Sequence, residues 1–231
     1  MRWYPFLAIA AVALAAALPY AIAEASSGLE QSFDRSNTDL KIERLTYRGK
    51  PAVKVLESSG NDQASPLVML PATDFQNGVI EAEVAGLPAR GAPADIRGFI
   101  GIAFRVQSDP SRYEAFYIRP TNGRAEEQIR RNHATQYIGM PDYPWFKLRK
   151  ETPGVYESYA DMVAGEWTKL RIEVDGAKAR LFVNGASQPS LIVNDLKLGA
   201  QAKGAVALSA GVNSVSHFRN LTITPDAVNL R

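Results

Sequence analysis

The chain has 231 residues, with 26 Lys and Arg against 24 Asp and Glu, two histidines and no cysteine. So even a charge balance argues against a nucleic-acid binder, which needs a marked basic excess, and the lack of cysteine excludes both a disulfide framework and a lipid-modified cysteine. The length suits one domain, since single all-β sandwiches often reach this size.

In chain order, the first element is a targeting signal. Arg2 supplies a positive start, Leu7 to Leu18 is an apolar run too short to span a bilayer with margin, and Ala21-Ile22-Ala23 is a small-x-small cleavage site. Cleavage after Ala23 divides the chain into a signal peptide, 1–23, and one mature domain, 24–231, periplasmic or secreted. An uncleaved anchor is the competing reading; the short apolar core with a cleavage site directly behind it argues against it. No later stretch is apolar enough to span a membrane, so an exported protein without disulfides rests on its core alone.

Nearly every later signal is β. Leu45–Tyr47 and Val53–Val55 flank Arg48-Gly49-Lys50 as a hairpin, and Ser58–Ser65 is a polar turn. Gly78–Ala85 alternates Ile80, Ala82 and Val84 with Val79, Glu81 and Glu83. Gly86–Arg97 is a Gly/Pro-rich loop, expected to be mobile. Gly98–Val106 and Arg112–Pro120 read as strands. Trp167–Val174 alternates, Asp175-Gly176 predicts a type I′ turn, Lys178–Asn184 alternates again, and Asn184-Gly185 is a second turn. Gly204–Ala210 and Val215–Thr224 close the pattern, with a bulge expected near Arg219–Asn220 because Phe218 and Leu221 both read as buried. The tail after Thr224 reads as an unstructured end. About a dozen short strands with regular turn signals make an antiparallel sandwich or barrel.

Residues 121–161 are the anomaly. This long excursion carries Arg124, Arg130, Arg131, His133, Tyr137, Tyr143, Trp145, Tyr156 and Tyr159, where a purely structural loop would carry small polar residues. Ala125–Arg131 reads as a turn or two of helix. Long irregular segments in compact domains are usually functional or disordered, and the aromatic content opposes disorder. Rings beside guanidinium and amide groups suit a polar, ring-shaped ligand. The segment is locally basic, so a polyanionic partner stays open.

The hairpin with Val183-Asn184-Gly185 before Pro189, the strand Asn77-Gly78-Val79-Ile80-Glu81, the pair Gly101–Arg105 and Tyr113-Glu114, and the closing Gly204…Phe218-Arg219-Asn220-Leu221 resemble concanavalin A-like lectin/glucanase domains. The laminin-G-like and 3-keto-disaccharide hydrolase branches are the nearest in pattern. The resemblance covers about residues 30–224 and implies an all-β, two-sheet antiparallel jelly roll with one concave face. It makes glycan binding or glycan cleavage the default function, by analogy.

Glycoside hydrolysis normally needs two carboxylates across the scissile bond. Glu81 and Glu83 share a face of one strand, but Ala85 or Gly86 stands where a glucanase of this fold carries a third acid, so that signature is broken. The plainer reading of both glutamates is an outer, ion-paired position. Glu114 shares parity with Phe116 and Ile118, which makes it a buried partner of Arg105 or an acid at the rim of the concave face. On the other parity lie Gly101, Ala103 and Arg105, then Ala115, Tyr117 and Arg119: small residues leaving room, with donors between them. The substrate-binding set is therefore Arg105, Glu114, Tyr117, Arg119, Asn122, Arg130, Arg131, Asn132, His133, Gln136, Tyr137 and Trp145. His133 is a structural residue or a catalyst, and His217 is structural or exposed. No cofactor and no transition-metal site is predicted; a structural calcium ion, held by carboxylates and carbonyls, stays open.

The first functional expectation is an exported domain that grips a carbohydrate on its concave face. A glycosidic-bond hydrolase or lyase on the same scaffold is the second, and an interaction module for an envelope protein the third. Oligomeric state stays open.

Overall fold

The computed structural model describes residues 40–57, 66–70, 73–226 and 230; the expected signal segment, the expected turn at Ser58–Ser65 and most of the tail lie outside the described residues. Thirteen strands follow in chain order: β1 (Leu40–Tyr47), β2 (Lys50–Glu57), β3 (Leu67–Met69), β4 (Gly78–Pro88), β5 (Ile100–Val106), β6 (Tyr113–Ile118), β7 (Thr135–Met140), β8 (Glu157–Ser158), β9 (Thr168–Asp175), β10 (Lys178–Val183), β11 (Leu191–Val193), β12 (Ala205–Ala210) and β13 (Ser214–Pro225). They form two antiparallel sheets, ordered β1-β2-β13-β4-β9-β10-β11 and β3-β12-β5-β6-β7-β8. This is the expected jelly-roll sandwich. No helix among the described residues is long and apolar enough to cross a membrane.

Period-2 alternation builds the core. Ile80, Ala82 and Val84 of β4 lie beside Ile172, Leu170 and Thr168 of β9, and Leu181 of β10 lies opposite Ile172. Their apolar faces join Phe218 and the inward residues Ile100, Ile102, Phe104, Phe116, Ile118 and Leu208 of the second sheet in one buried cluster. Burying each such side chain contributes roughly 1.5–3 kcal/mol.

The turns follow their residues, with one correction. Arg48 and Gly49 both have positive φ between the paired Tyr47 and Lys50, as a type I′ hairpin requires. Asn184 and Gly185 also both have positive φ, in a turn that the Ala186 amide closes on the Val183 carbonyl. Between the paired Asp175 and Lys178, however, the turn positions are Gly176 and Ala177, and only Gly176 has positive φ, which is the type II′ pattern rather than I′. The bulge expected near Arg219–Asn220 is present: the β13–β4 register shifts between Arg219 and Thr222, with Asn220 at φ 49°. The tail is not wholly loose. The Leu230 amide donates to Asp175, and its carbonyl accepts from Lys178.

The excursion is more regular than its composition suggests. Besides a 3-10 turn at Pro120–Asn122, it holds helices α1 (Gln128–Asn132) and α2 (Trp145–Glu151), and it supplies β7 and β8 to the sheet. β7 pairs with β6 over six residues, from Tyr113↔Met140 to Ile118↔Thr135. Its Tyr137 belongs to the core while Gln136 and Ile138 face outward, so successive side chains alternate between the two faces of a buried strand rather than lying along a surface loop.

Candidate functional site

A cavity of about 440 Å³ opens on the outer side of the six-stranded sheet, a size typical of small-ligand sites. Tyr117 and Ile138 reach it from β6 and β7, joined by Arg119 and Met140. Asp95, Arg97 and Phe99 come from the segment before β5, Asn122, Arg130 and His133 from the first part of the excursion, and Trp145 and Arg149 from α2.

Local structure explains each placement. Tyr117 and Arg119 flank the core residue Ile118, so alternation turns both outward. The short α1 ends at His133, whose amide bonds back to the Arg130 and Arg131 carbonyls, which brings Arg130 and His133 to the same side. Pro144 opens α2 in an extended conformation, and buried Leu148 anchors the helix. Trp145 and Arg149 are four residues apart and share a helix face, with the Arg149 guanidinium 4.8 Å from the indole centroid. Trp145 is still 39 % exposed and lines the cavity.

Glu157 organises one wall. Its side chain is 3 % exposed and accepts from Arg149 Nε at 3.0 Å and Nη2 at 2.7 Å, and it lies 3.2 Å from His133 Nε2. Burial holds the His133 pKa below the ordinary 6.5; Glu157 pulls it up, while Arg149 and Arg119 push it down. The imidazole is therefore neutral at pH 7. Its Nε2 edge faces the Glu157 carboxylate.

Arg119 is 5 % exposed. It donates to the His133 carbonyl (3.0 Å), the Tyr117 hydroxyl (2.9 Å) and Gln136 Oε1 (3.1 Å), and its guanidinium packs near the rings of Tyr117, Trp145 and Phe99. Burial lowers its pKa, more than any other influence on it.

Of the twelve residues expected to bind, the structure brings Tyr117, Arg119, Asn122, Arg130, His133 and Trp145 together at this cavity. Gln136 lies behind it, holding Arg119. Arg131 lies outside, paired with Tyr159 (3.0 Å), and Asn132 accepts from Gln128. Tyr137 is in the core and donates to Glu114 at 2.6 Å.

As binding residues Arg105 and Glu114 require correction, while the buried ion pair expected between them is present. Strict alternation would aim Arg105 outward with Gly101 and Ala103. Instead β5 carries an extra residue where its pairing with β12 shifts, Arg105 takes φ 52°, and its side chain turns inward. There it meets Glu114 at 3.2 Å, both side chains fully buried, and also donates to the carbonyls of Gln76, Gly176 and Gly199. The pair is an interior staple, not part of the cavity. Gly101 likewise opens no space: a Cβ there would strike the backbone of Phe116 and Tyr117. Glu81 and Glu83 hold outer ion pairs, Glu81 with Lys169 at 2.7 Å and Glu83 with Lys50 and Arg219. His217 is buried and stacks on Tyr47 at 3.7 Å.

Sequence reading misses Arg97, Phe99 and Arg149. Arg97 and Phe99 border the Gly/Pro-rich loop, which carries no motif; Arg149 sits in the basic run of the excursion, where only its spacing of four from Trp145 marks it. No group of three or more His, Asp or Glu side chains among the described residues is placed to hold a metal ion.

The profile of the 3-keto-alpha-glucoside-1,2-lyase-like domain matches residues 52–224. A search of curated proteins finds no match. Among solved structures, the carbohydrate-binding module CBM66 from Bacillus subtilis superposes with a TM-score of 0.52 at 10% identity, covering 81% of this chain and 96% of its own. A Bacillus subtilis protein of unknown function with a galectin-like fold gives 0.51 at 10% identity, covering 80% and 87%. At such identity the likeness is one of fold.

Proposed function

Because the chain belongs to the 3-keto-alpha-glucoside-1,2-lyase-like domain family, we propose that its cavity is a carbohydrate site and that the protein acts outside the cytoplasm after cleavage behind Ala23. One observation carries this reading: the half-exposed Trp145 stands over the same 440 Å³ cavity as Tyr117, Arg119, Asn122 and His133. An indole face stacks on the C–H face of a sugar ring, and amide and guanidinium groups bond its hydroxyls. The galectin-like and carbohydrate-binding folds it resembles agree with this reading.

The test is a glycan array on the purified protein, followed by calorimetry of the hits. Trp145→Ala is expected to weaken binding at least tenfold, about 1.4 kcal/mol, with little change in melting temperature. Wild-type affinity in that variant, or no glycan bound at all, overturns the reading.

A second reading is catalytic, and the His133–Glu157 pair favours it. A neutral imidazole oriented by a buried carboxylate is built as a general base. In a 3-keto-glucoside the C3 carbonyl acidifies the C2 proton, so removal of that proton by His133 Nδ1 can expel the group at C1. The cavity lining holds Asp95 as its one carboxylate among the described residues, too few for the two-acid hydrolytic mechanism. Incubation with a 3-keto-glucoside distinguishes the readings: a catalyst releases the aglycone and loses turnover in His133→Gln while binding survives, and a binding module releases nothing.

A further inference from the structure

The protein does not balance the charge in its own cavity. Arg97, Arg119 and Arg130 line it, and none of the three forms an ion pair among the described residues. Arg149, the fourth guanidinium, is spent on Glu157. The one carboxylate on the wall, Asp95, is solvent-exposed. His133 is neutral and adds nothing to either side.

The imbalance sits where it is costly. A buried cation without a counter-ion is expensive, and the three acceptors of Arg119 are all uncharged. Arg130 Nε is buried and has no hydrogen-bond partner. Burial and the charge of Arg130 together lower the Arg97 pKa, against a weaker opposing pull from Asp95 and Glu127. Asn122 Oδ1, on the same wall, is a buried acceptor left without a donor. Orphaned groups of both kinds around one cavity describe the complement of a ligand that has an anionic group and a hydroxyl.

We propose that the ligand is an acidic sugar, with its carboxylate or sulfate held among Arg97, Arg119 and Arg130 and a ring hydroxyl donating to Asn122 Oδ1. The inference rests on the carbohydrate reading above. The planar guanidinium fork suits either anion, and the charge-assisted bonds formed in a shielded cavity are the strong ones.

The experiment uses the purified full chain on an array carrying uronate, sulfated and neutral oligosaccharides. Acidic members are expected to bind. The best uronate hit, for example trigalacturonate, is then compared with its methyl ester, and the best sulfated hit with its desulfated form; the pair that loses affinity identifies the anion. Removing the charge should weaken binding at least tenfold, and added salt should weaken the acid but not the ester. Arg97→Gln and Arg130→Gln should each weaken the acidic hit about 10- to 100-fold and the uncharged form far less. Arg119 is built into the interior, so Arg119→Gln is read only alongside its melting temperature, and the other two variants decide the outcome. Binding confined to neutral glycans, or an ester that binds as tightly as its acid, overturns the acidic-sugar inference and leaves the carbohydrate site standing. No binding to any member overturns both.

Discussion

Arg105 and Arg119 are two buried guanidiniums with different partners. Arg105 has a carboxylate, Glu114, and backbone carbonyls from three separate loops; Arg119 has only uncharged acceptors beside a cavity. Removing one member of a buried pair strands the other, so Arg105→Gln should cost about 3–5 kcal/mol in urea unfolding. Glu114→Gln should likewise lower stability while leaving ligand affinity in the folded fraction unchanged. Had Glu114 been a site acid, that variant would abolish turnover instead. His217 supplies a pH prediction. Burial lowers its pKa from 6.5, the Ala85 carbonyl raises it and Lys54 lowers it further; His133 is shifted in the same direction. The unfolded chain therefore takes up protons first, so this stability is present above pH 6.5 and is lost as the pH falls below that value. Urea midpoints should decline from pH 7 to about 5, a window above the acid range of about 4 in which carboxylates titrate. His217→Gln should flatten part of that decline, and an unchanged slope would mean that His217 is not responsible.

Among the elements, the β9–β10 hairpin shows how sharply one position differs from the next. Leu181 is fully buried against the second sheet, whereas Arg180 points outward and bonds Asn194 at 3.2 Å. Leu181→Ala should cost roughly 2–5 kcal/mol, and Arg180→Ala under about 0.5. Denaturant curves ranking them in the reverse order would invert the face assignment. The excursion gains its rigidity in the same way, through strand pairing. Thr135 and Gln136 of β7 pair with Ser158 and Glu157 of β8, the Tyr137 amide bonds the Tyr156 carbonyl, and Lys197 ties the Tyr156 hydroxyl to Asp195. Trp145 on α2 and His133 at the end of α1 thus flank paired strands rather than sit on a free loop, which is what a preorganised site needs.

Across the whole molecule, the cavity draws on segments that lie far apart in the chain, from Asp95 to Val212. Export gives the prediction at this scale: the native protein should begin at Glu24 and be recovered from periplasm or medium, and N-terminal sequencing that still reads Met1 would refute it. Local rules make much of the fold legible in the sequence. Alternation identifies the faces of β4, β9 and β10, the Arg48-Gly49 and Asn184-Gly185 pairs mark two tight turns, and the outward parity of Tyr117 and Arg119 follows from the core position of Ile118. Alternation fails wherever an extra residue enters a strand, and for that reason it puts Arg105 on the wrong face. The aromatic residues of the excursion disguise β7, because Tyr137 is buried only when Glu114 and the Lys197 amide are there to satisfy its hydroxyl. The convergence of Arg97, Arg130 and Arg149 on Arg119 has no sequence signal, since a cavity is a relation between loops in space. The sequence by itself determined which residues could pair, turn and be buried; only the tertiary structure decided which charges would meet without a counter-ion, because that depends on the packing of distant segments and not on the spacing of neighbours.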